Sequence, residues 1–557
     1  MFLQSVLFND DNDGTKDMFF RVTGDVRCGK TYIAMAPGSS ISTSTYMNIF
    51  DSGFYQMITG IKKIRLTFDY RGEGELRLFR RNRDNNCQST EFSCEKGSCK
   101  KEISEGQIVE TEVCKKDLKC AEKKSFDIEL VADKEAGSYY FTLEATTESV
   151  LENVFYETTD PDRQKRGRHD KETENRSQNV SDHDAVSRFV NIRIALLITT
   201  FNGTKDLARN LNVLKKSAFF SREVPGYLHH LYGCLDIYIV DNKSRLPLKD
   251  EKHLKIFHNK NTGGTGGFTR GITELRKRAD SSGITHVIFM DDDVVLEAEC
   301  LYRLFALLAG LKPEESLRPV AGRMFDLSEP GMQYTASEQW NKGYVRHLGH
   351  DLDMKKEECI EGLNSSSHEA SDHIYGGWWF CCYPYSFVEK NTPLPFFLHC
   401  DDVEYGIRCA QTPIILNGID VKHDTPENKA SSVLAYYDAR NTMIVNAVYG
   451  LATSEEMLEQ WRNRLASFRD KNDHDGINMT ILGMLHFLKG PEWFMNVDGE
   501  QLHKRLKRKN IHELKLIART VQISYKFVWR SIDAIARIRI GPVVKKYAQL
   551  RDRTGKE

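Results

Sequence analysis

No stretch of this 557-residue chain reaches the ~18 consecutive apolar residues that a membrane-spanning helix requires. Its first 13 residues carry a short apolar start, no basic residue and an early acidic run, which is not a secretory pattern. The compartment expected from this is the cytosol. There is no Walker A phosphate loop. A glycine cluster at 263–267 is not the dinucleotide fingerprint, because counting from Gly264 the sixth position is Thr269. An excess of one charge is also missing. The net charge of −1 excludes a uniformly basic nucleic-acid binder, although from Gln501 onward 16 Lys and Arg face 4 Asp and Glu. With 40% apolar and 28% charged residues the composition is that of a globular protein, and the length suggests two to four domains.

Six of the 13 cysteines fall in the first 120 residues, and Cys94, Cys99, Cys114 and Cys120 form a tighter group. Only Cys94 and Cys99 have the spacing of zinc ligands, so free thiols in a loop insertion are the expectation. The other seven, Cys381, Cys382 and Cys400 among them, read as buried thiols.

Residues 1–156 read as a β-sandwich. IKKIRLTFDY, ELRLFRR and SYYFTLEAT alternate apolar with polar, and turn-rich segments such as YRGEGE divide them. Residues 157–188 read as a solvated linker. From there to 430 the pattern changes to α/β. NIRIALLITTF, LDIYIVDN, HLKIFHN and THVIFMDDD are continuous apolar runs, as in buried parallel strands, with helical stretches between them. Ligands of such sheets bind beyond the carboxyl ends of the strands, where TTFN, VDN, HNKNTGG and MDDD fall. Residues 431–557 read as helical, with a basic amphipathic tail suited to an anionic membrane surface or to packing on an acidic body.

Asp291, Asp292 and Asp293 are the sharpest local signal. Three carboxylates at the end of a buried strand repel one another unless a cation offsets them. Asp291 and Asp293 alternate onto one side of an extended chain and can hold Mg²⁺ or Mn²⁺. The cluster Gly263, Gly264, Gly266, Gly267 reads as a flexible loop that lets backbone approach a ligand. Trp378 and Trp379 follow a glycine pair and offer rings for sugar C–H faces, with at least one of them expected in the core. DDVE, from Asp401 to Glu404, opens a helix where acids also serve as dipole complements. His423 stands alone.

The ordered set TTFN, VDN, NTGGTGGF, MDDD, GGWW, DDVE, a later histidine and YYDARN resembles the family 2, GT-A-fold inverting glycosyltransferases. Within them it looks closest to bacterial galactofuranosyltransferases of the galactan-building type. The resemblance covers nearly the whole chain. It implies a β-sandwich, a central GT-A domain and C-terminal helices. It implies UDP-galactofuranose as donor, a glycan or lipid-linked glycan as acceptor, and Mn²⁺ or Mg²⁺ held by Asp291, Asp293 and His423. Thr200, Phe201, Asp241, Asn261, Gly263, Gly264, Asp291 and Asp292 would line the nucleotide sugar. Asp402 would be the catalytic base, with Trp378, Trp379, Asp401 and Glu404 at the acceptor. TFNGTKD lacks the arginine often found after TFN, and neither the insertion holding Cys87 to Cys120 nor the stretch 351–372 is a family feature. Two other readings compete: the same enzyme with another nucleotide sugar, such as dTDP-rhamnose, and a carbohydrate-binding protein with a dead transferase domain.

Overall fold

The computed structural model describes residues 1–9, 14–29, 31–82, 94–95, 98–99, 109–131, 137–158, 192–201, 203–243, 245–278, 283–360, 373–426 and 431–553. Most of the 157–188 linker, Cys87 and residues 361–372 lie outside the described residues, as do the side chains of Cys94 and Cys99.

Ten strands of the N-terminal region share one hydrogen-bonded network: β1 (Phe2–Ser5), β2 (Arg21–Thr23), β3 (Val26–Gly29), β4 (Tyr32–Met35), β5 (Ser40–Ser42), β6 (Phe50–Asp51), β7 (Lys63–Asn82), β8 (Val109–Val131), β9 (Ser138–Ala145) and β10 (Ser149–Thr158). Their main order is β2-β5-β9-β7-β10-β4-β3, with β1 on β10, β6 on β9 and β8 on β7. The segment YRGEGE, expected as a turn, lies inside β7. Gly72 adopts φ +118°, and a Cβ on Gly74 would come within 2.5 Å of the Glu144 carbonyl. The glycines therefore let one long strand change partner from β10 to β9 without breaking. Along β7, Ile64, Leu66, Phe68, Tyr70, Leu76 and Leu78 are buried, the alternation the sequence announced. Cys114 and Cys120 stand six positions apart in β8, roughly 20 Å at the rise of a strand, so they cannot share a four-ligand zinc site.

The second part is a mixed α/β assembly around a six-stranded sheet. Its strands are β11 (Ile194–Thr200), β12 (Leu235–Asp241), β13 (Leu254–His258), β14 (His286–Asp291), β15 (Val320–Ala321) and, after β16 (Arg323–Asp326) and β17 (Met332–Thr335), β18 (Cys381–Pro384). The order is β13-β12-β11-β14-β18-β15, parallel from β13 to β14 and antiparallel at β18. Helices α1 (Thr204–Lys216) and α3 (Ala298–Gly310) cover one face, and α2 (Gly263–Arg276) the other. Near the site β16 pairs in parallel with β19 (Asp420–His423).

Glycines 263–267, expected as a flexible loop, lie within α2 itself. A Cβ on Gly267 would sit 2.2 Å from Thr199 Cγ2, and one on Gly271 2.2 Å from Leu197 Cδ1. The glycines are there because this helix rests directly on β11.

Helix α4 (Asp401–Cys409) leads to C-terminal helices with their own core, among them α5 (Ser432–Tyr449), α6 (Ser454–Asp470), α7 (His474–Phe487) and α8 (His512–Arg553). Leu514, Ile517, Ile532, Ala536, Ile540, Val543, Tyr547 and Leu550 of α8 are buried in that core. Among the described side chains of α8, these apolar residues are taken up by packing, while Leu516, Ile535 and Ile538 are exposed. No helix among the described residues is long and apolar enough to cross a membrane.

A buried charge network joins the N-terminal sheet to the rest. Arg303 of α3 is fully buried. It donates to Glu299 Oε1 (2.9 Å) and to the carbonyls of Asn417 (3.2 Å), Ser5 (3.2 Å) and Met47 (2.6 Å), while Ser5 N donates to Glu299 (2.8 Å). Replacing Arg303 by Met leaves the buried Glu299 carboxylate without its cation and takes one donor from each of three carbonyls, and the expected loss is ~3–5 kcal/mol. A lowered urea midpoint for the Arg303→Met chain checks this; an unchanged midpoint contradicts it.

Candidate active site

Four parallel strands deliver their last residues to one rim. Thr200 lies opposite Asp241, Thr199 opposite Asp291, and Asp241 opposite His258. At β14 the chain passes from apolar HVIFM into the three aspartates. Val295 then makes two backbone hydrogen bonds with Lys422 of β19 (2.7 and 3.2 Å). That bridge brings His423 to the acids. Its Nε2 lies 2.9 Å from Asp293 Oδ1 and 3.9 Å from Asp291 Oδ2. Candidate ligand atoms of Asp291, Asp293 and His423 all fall within 4.8 Å of one another. Two carboxylates from the end of β14 and an imidazole nitrogen from the end of β19 fit Mg²⁺ or Mn²⁺. Asp292 points elsewhere, toward Thr200 and the Gly203 amide, and burial raises its carboxyl. The alternation of the three acids is therefore realised: two on one side and one on the other.

The remaining residues expected at the nucleotide sugar occupy the same rim. Thr200 is buried and accepts from Gly203 N (3.3 Å). Phe201 is exposed beneath the Lys243 ammonium, 5.3 Å from its ring centre. Asp241 accepts from three backbone amides, those of Lys243, Arg245 and Leu246 (2.9, 2.6 and 2.8 Å). Burial is the largest single influence and raises its carboxyl, but these bonds and His258 together outweigh it and hold the carboxyl below the usual range. Asp241 is thus the organiser of the loop after β12. Asn261 Oδ1 accepts from Gly263 N (3.1 Å), and Asn242 Nδ2 donates to Gly263 O (2.9 Å). Gly263 has φ +76°, and a Cβ there would lie 2.0 Å from the Phe397 carbonyl. The start of α2 is therefore wedged between the β12 turn and the segment that precedes α4.

That segment is strained. Phe397, His399 and Cys400 all have left-handed backbone, with φ of 77°, 61° and 66°. For residues other than glycine such geometry costs of order 1 kcal/mol each and persists only where the surroundings impose it. Helix α5 imposes it here. Arg440 Nη2 donates to Phe396 O (2.8 Å), and Asn441 Nδ2 donates to the carbonyls of Leu398 and His399 (2.7 and 3.0 Å). The clamp sets Asp401 and Asp402 at the start of α4. Asp401 accepts from Thr265 Oγ1 of α2 (2.7 Å). Burial pushes both carboxyls up, and for Asp402 the neighbouring charges of Asp401 and Glu338 push further, well above the usual range. His399 donates to Asp438 of α5 (2.6 Å), and this pairing raises its imidazole against the effect of burial. Glu338, His399, Asp438 and Thr265 are site residues that the sequence did not flag.

Two expected acceptor contacts are placed otherwise. Trp378 is buried among Phe268, Phe289 and Tyr405, its ring 4.8, 4.8 and 5.6 Å from theirs, and is a core residue. Trp379 is half-buried and donates to Gly322 O (2.9 Å). Glu404 is fully buried and turned away from the rim, because it accepts from Arg408 Nε (2.9 Å) and the Tyr449 hydroxyl (2.6 Å). Its place in DDVE is that of a helix-packing ion pair.

No family model matches the chain. It is similar in sequence to galactofuranosyltransferase GlfT2 of Mycobacterium tuberculosis, 28% identical over 261 residues, which are 44% of this chain and 40% of that protein. The GlfT2 of Mycolicibacterium smegmatis is 29% identical over 210 residues, 35% of this chain and 32% of that one. The alignments therefore span less than half the length of the curated relatives. Among solved structures, Staphylococcus aureus TarS 1–349 aligns with 65% of this chain and 90% of its own, at 11% identity and a TM-score of 0.29, too loose to carry an argument.

Two outcomes follow from this geometry. Isothermal titration with Mn²⁺ should show one tight site, weakened at least tenfold (~1.4 kcal/mol) in Asp293→Asn and His423→Ala; equal affinity in both variants contradicts the three-residue site. The second concerns Asp402. Its folded-state carboxyl titrates above its unfolded value near 4, so the folded chain binds more protons in that window and loses stability as pH rises through it. Asp402→Asn should therefore melt higher than the parent at pH 8, with the gap closing toward pH 4. A lower melting point at pH 8 refutes the burial argument.

Proposed function

We propose that this chain is a metal-assisted, inverting glycosyltransferase of GT-A layout, moving galactofuranose from UDP-galactofuranose to a glycan acceptor in surface polysaccharide synthesis. Residues 1–156 are read as its β-sandwich, 189–430 as the catalytic unit and 431–557 as a helical domain. The observations that carry the proposal are a three-residue cation site and an acidic pair that Thr265 of helix α2 holds at the start of α4. The sequence similarity to galactofuranosyltransferases supports the donor.

Asp291, Asp293 and His423 hold the divalent cation, which when bound offsets the charge that develops on the leaving diphosphate. Thr200, Phe201, Asn261, Gly263 and Gly264 form the donor wall, with Asp241 fixing the loop beside it. Asp402 takes the proton of the acceptor hydroxyl as that oxygen attacks the anomeric carbon. A carboxyl raised by burial and by Asp401 is a stronger base than a solvated one. Asp401, held by Thr265, lies next to Asp402 and orients the acceptor. Single displacement from the face opposite the diphosphate inverts the anomeric centre. If the acceptor is lipid-linked, exposed Ile538 between Arg537 and Arg539 is the apolar point on α8 nearest in character to a membrane contact.

A screen of nucleotide sugars for UDP or TDP release, with and without Mn²⁺, tests the reading. UDP-galactofuranose should be turned over, chelator should stop it, and Asp402→Asn should reduce turnover by roughly 10²-fold or more with donor binding retained. Preference for dTDP-rhamnose moves the donor assignment, and release from no donor leaves a binding protein. Normal turnover in Asp402→Asn with a dead Asp401→Asn transfers the base to Asp401.

A further inference from the structure

Outside the catalytic rim, the N-terminal sheet and the Glu357–Glu358 segment border a furrow. Its origin can be read strand by strand. The middle strands β5 and β9 present short hydroxyl side chains outward, Ser40, Ser42 and Thr142, while Ile41, Phe141 and Leu143 go to the core. The flanking strands present long ones. Thr142 lies opposite Arg77 of β7 and opposite Ser42, and Ser42 lies opposite Arg21 of β2. A low floor of hydroxyls therefore runs between walls of guanidinium groups.

One register step along, Phe79 lies opposite Tyr140 and stacks on it at 5.2 Å and 15°. The Arg81 guanidinium lies 5.1 Å from the Tyr140 ring centre. Arg81 is in turn held by Glu110 (2.8 Å) and Ser44 (3.0 Å), which closes this end. Two depressions of about 690 and 320 Å³ adjoin along the furrow and share Arg21, Ser42, Phe79 and Thr142.

We propose that this furrow binds a neutral, hydroxyl-rich glycan chain. Three arginines meet five glutamates along its lining, so a phosphate, a nucleic acid or a sulfated chain finds no net attraction. The lining instead alternates donors and acceptors at the spacing of adjacent strands, which suits hydroxyls that both give and receive hydrogen bonds. Phe79, stacked on Tyr140, offers an apolar step beside the hydroxyls and meets a sugar's C–H face. The furrow holds no residue placed above in transfer chemistry. The transfer reading enters only in identifying the chain as the growing acceptor, retained at a distance from the rim that extends it.

Native affinity electrophoresis of the full chain tests this, with soluble galactan, arabinan or mannan in the gel, chelator present and no donor sugar. Heparin serves as the anionic contrast. At least one neutral polysaccharide should retard the parent. Thr142→Leu, which fills the floor and removes a hydroxyl, should abolish the shift. Phe79→Ala should weaken it about tenfold. Both variants should melt within a few degrees of the parent and release UDP normally; if Thr142→Leu fails to fold, Phe79→Ala decides. No retardation by any neutral polysaccharide, retardation by heparin alone, or equal retardation of parent and variants overturns the proposal. Retardation that persists in a chain transferring no sugar would sink the transfer reading and leave the furrow standing.

Discussion

Arg303 is a cation without water. A guanidinium in that position must find all its acceptors in the protein, and the ones it finds come from α3, from β1, from the segment before β6 and from the Asn417 turn. Gly418, at φ +77°, is the next residue, and its amide donates to the Tyr46 hydroxyl (3.2 Å), which donates to Asp420 (2.9 Å). Asp420 opens the strand that ends in His423. The N-terminal sheet therefore underpins the strand that carries the candidate metal-binding histidine. Removing the N-terminal sheet would expose that arginine, its carboxylate and the underside of β19 together.

The rim above it answers two electrostatic problems in two ways. Asp291 and Asp293 are about two-fifths exposed and converge on an imidazole, an arrangement whose repulsion a divalent cation relieves. Asp401 and Asp402 are only partly exposed, and burial, joined at Asp402 by the charge of Asp401, raises both carboxyls. One acidic group thus carries a repulsion that a cation relieves, and the other a raised affinity for protons. The strained turn at 397–400 is what separates them, since Arg440 and Asn441 hold its carbonyls in a geometry the backbone would not adopt alone.

The parallel strands were legible because strands buried on both faces leave uninterrupted apolar runs, and NIRIALLITTF and THVIFMDDD are such runs. The metal triad was partly legible: period-two alternation pairs Asp291 with Asp293, whereas His423 came through family resemblance and is brought in by the Val295–Lys422 bridge. The glycine cluster misled because composition is the same for a mobile loop and for a helix pressed onto a strand; only the neighbours of the missing Cβ atoms tell them apart. Glu404 misled for a related reason. Two residues along a helix from Asp402 is a turn of about 200°, which carries a side chain from the rim to the interior. The His399–Asp438 pair spans 39 residues and two elements, and no local pattern announces it.

Helix α2 has no clearance at three of its glycines. Thr199 and Leu197 occupy the space where side chains on Gly267 and Gly271 would be, and the Phe397 carbonyl occupies that of Gly263. A wall assembled this way is a poor substrate for gradual change, because the smallest substitution, a methyl, already collides with the strand behind it. Evolvability is left to the rim. Phe201 and Lys243 stand clear of the packed interior, and exchange there alters what the wall faces without moving it. Divergence among chains of this build should accumulate at such rim positions while Gly263, Gly267 and Gly271 stay put.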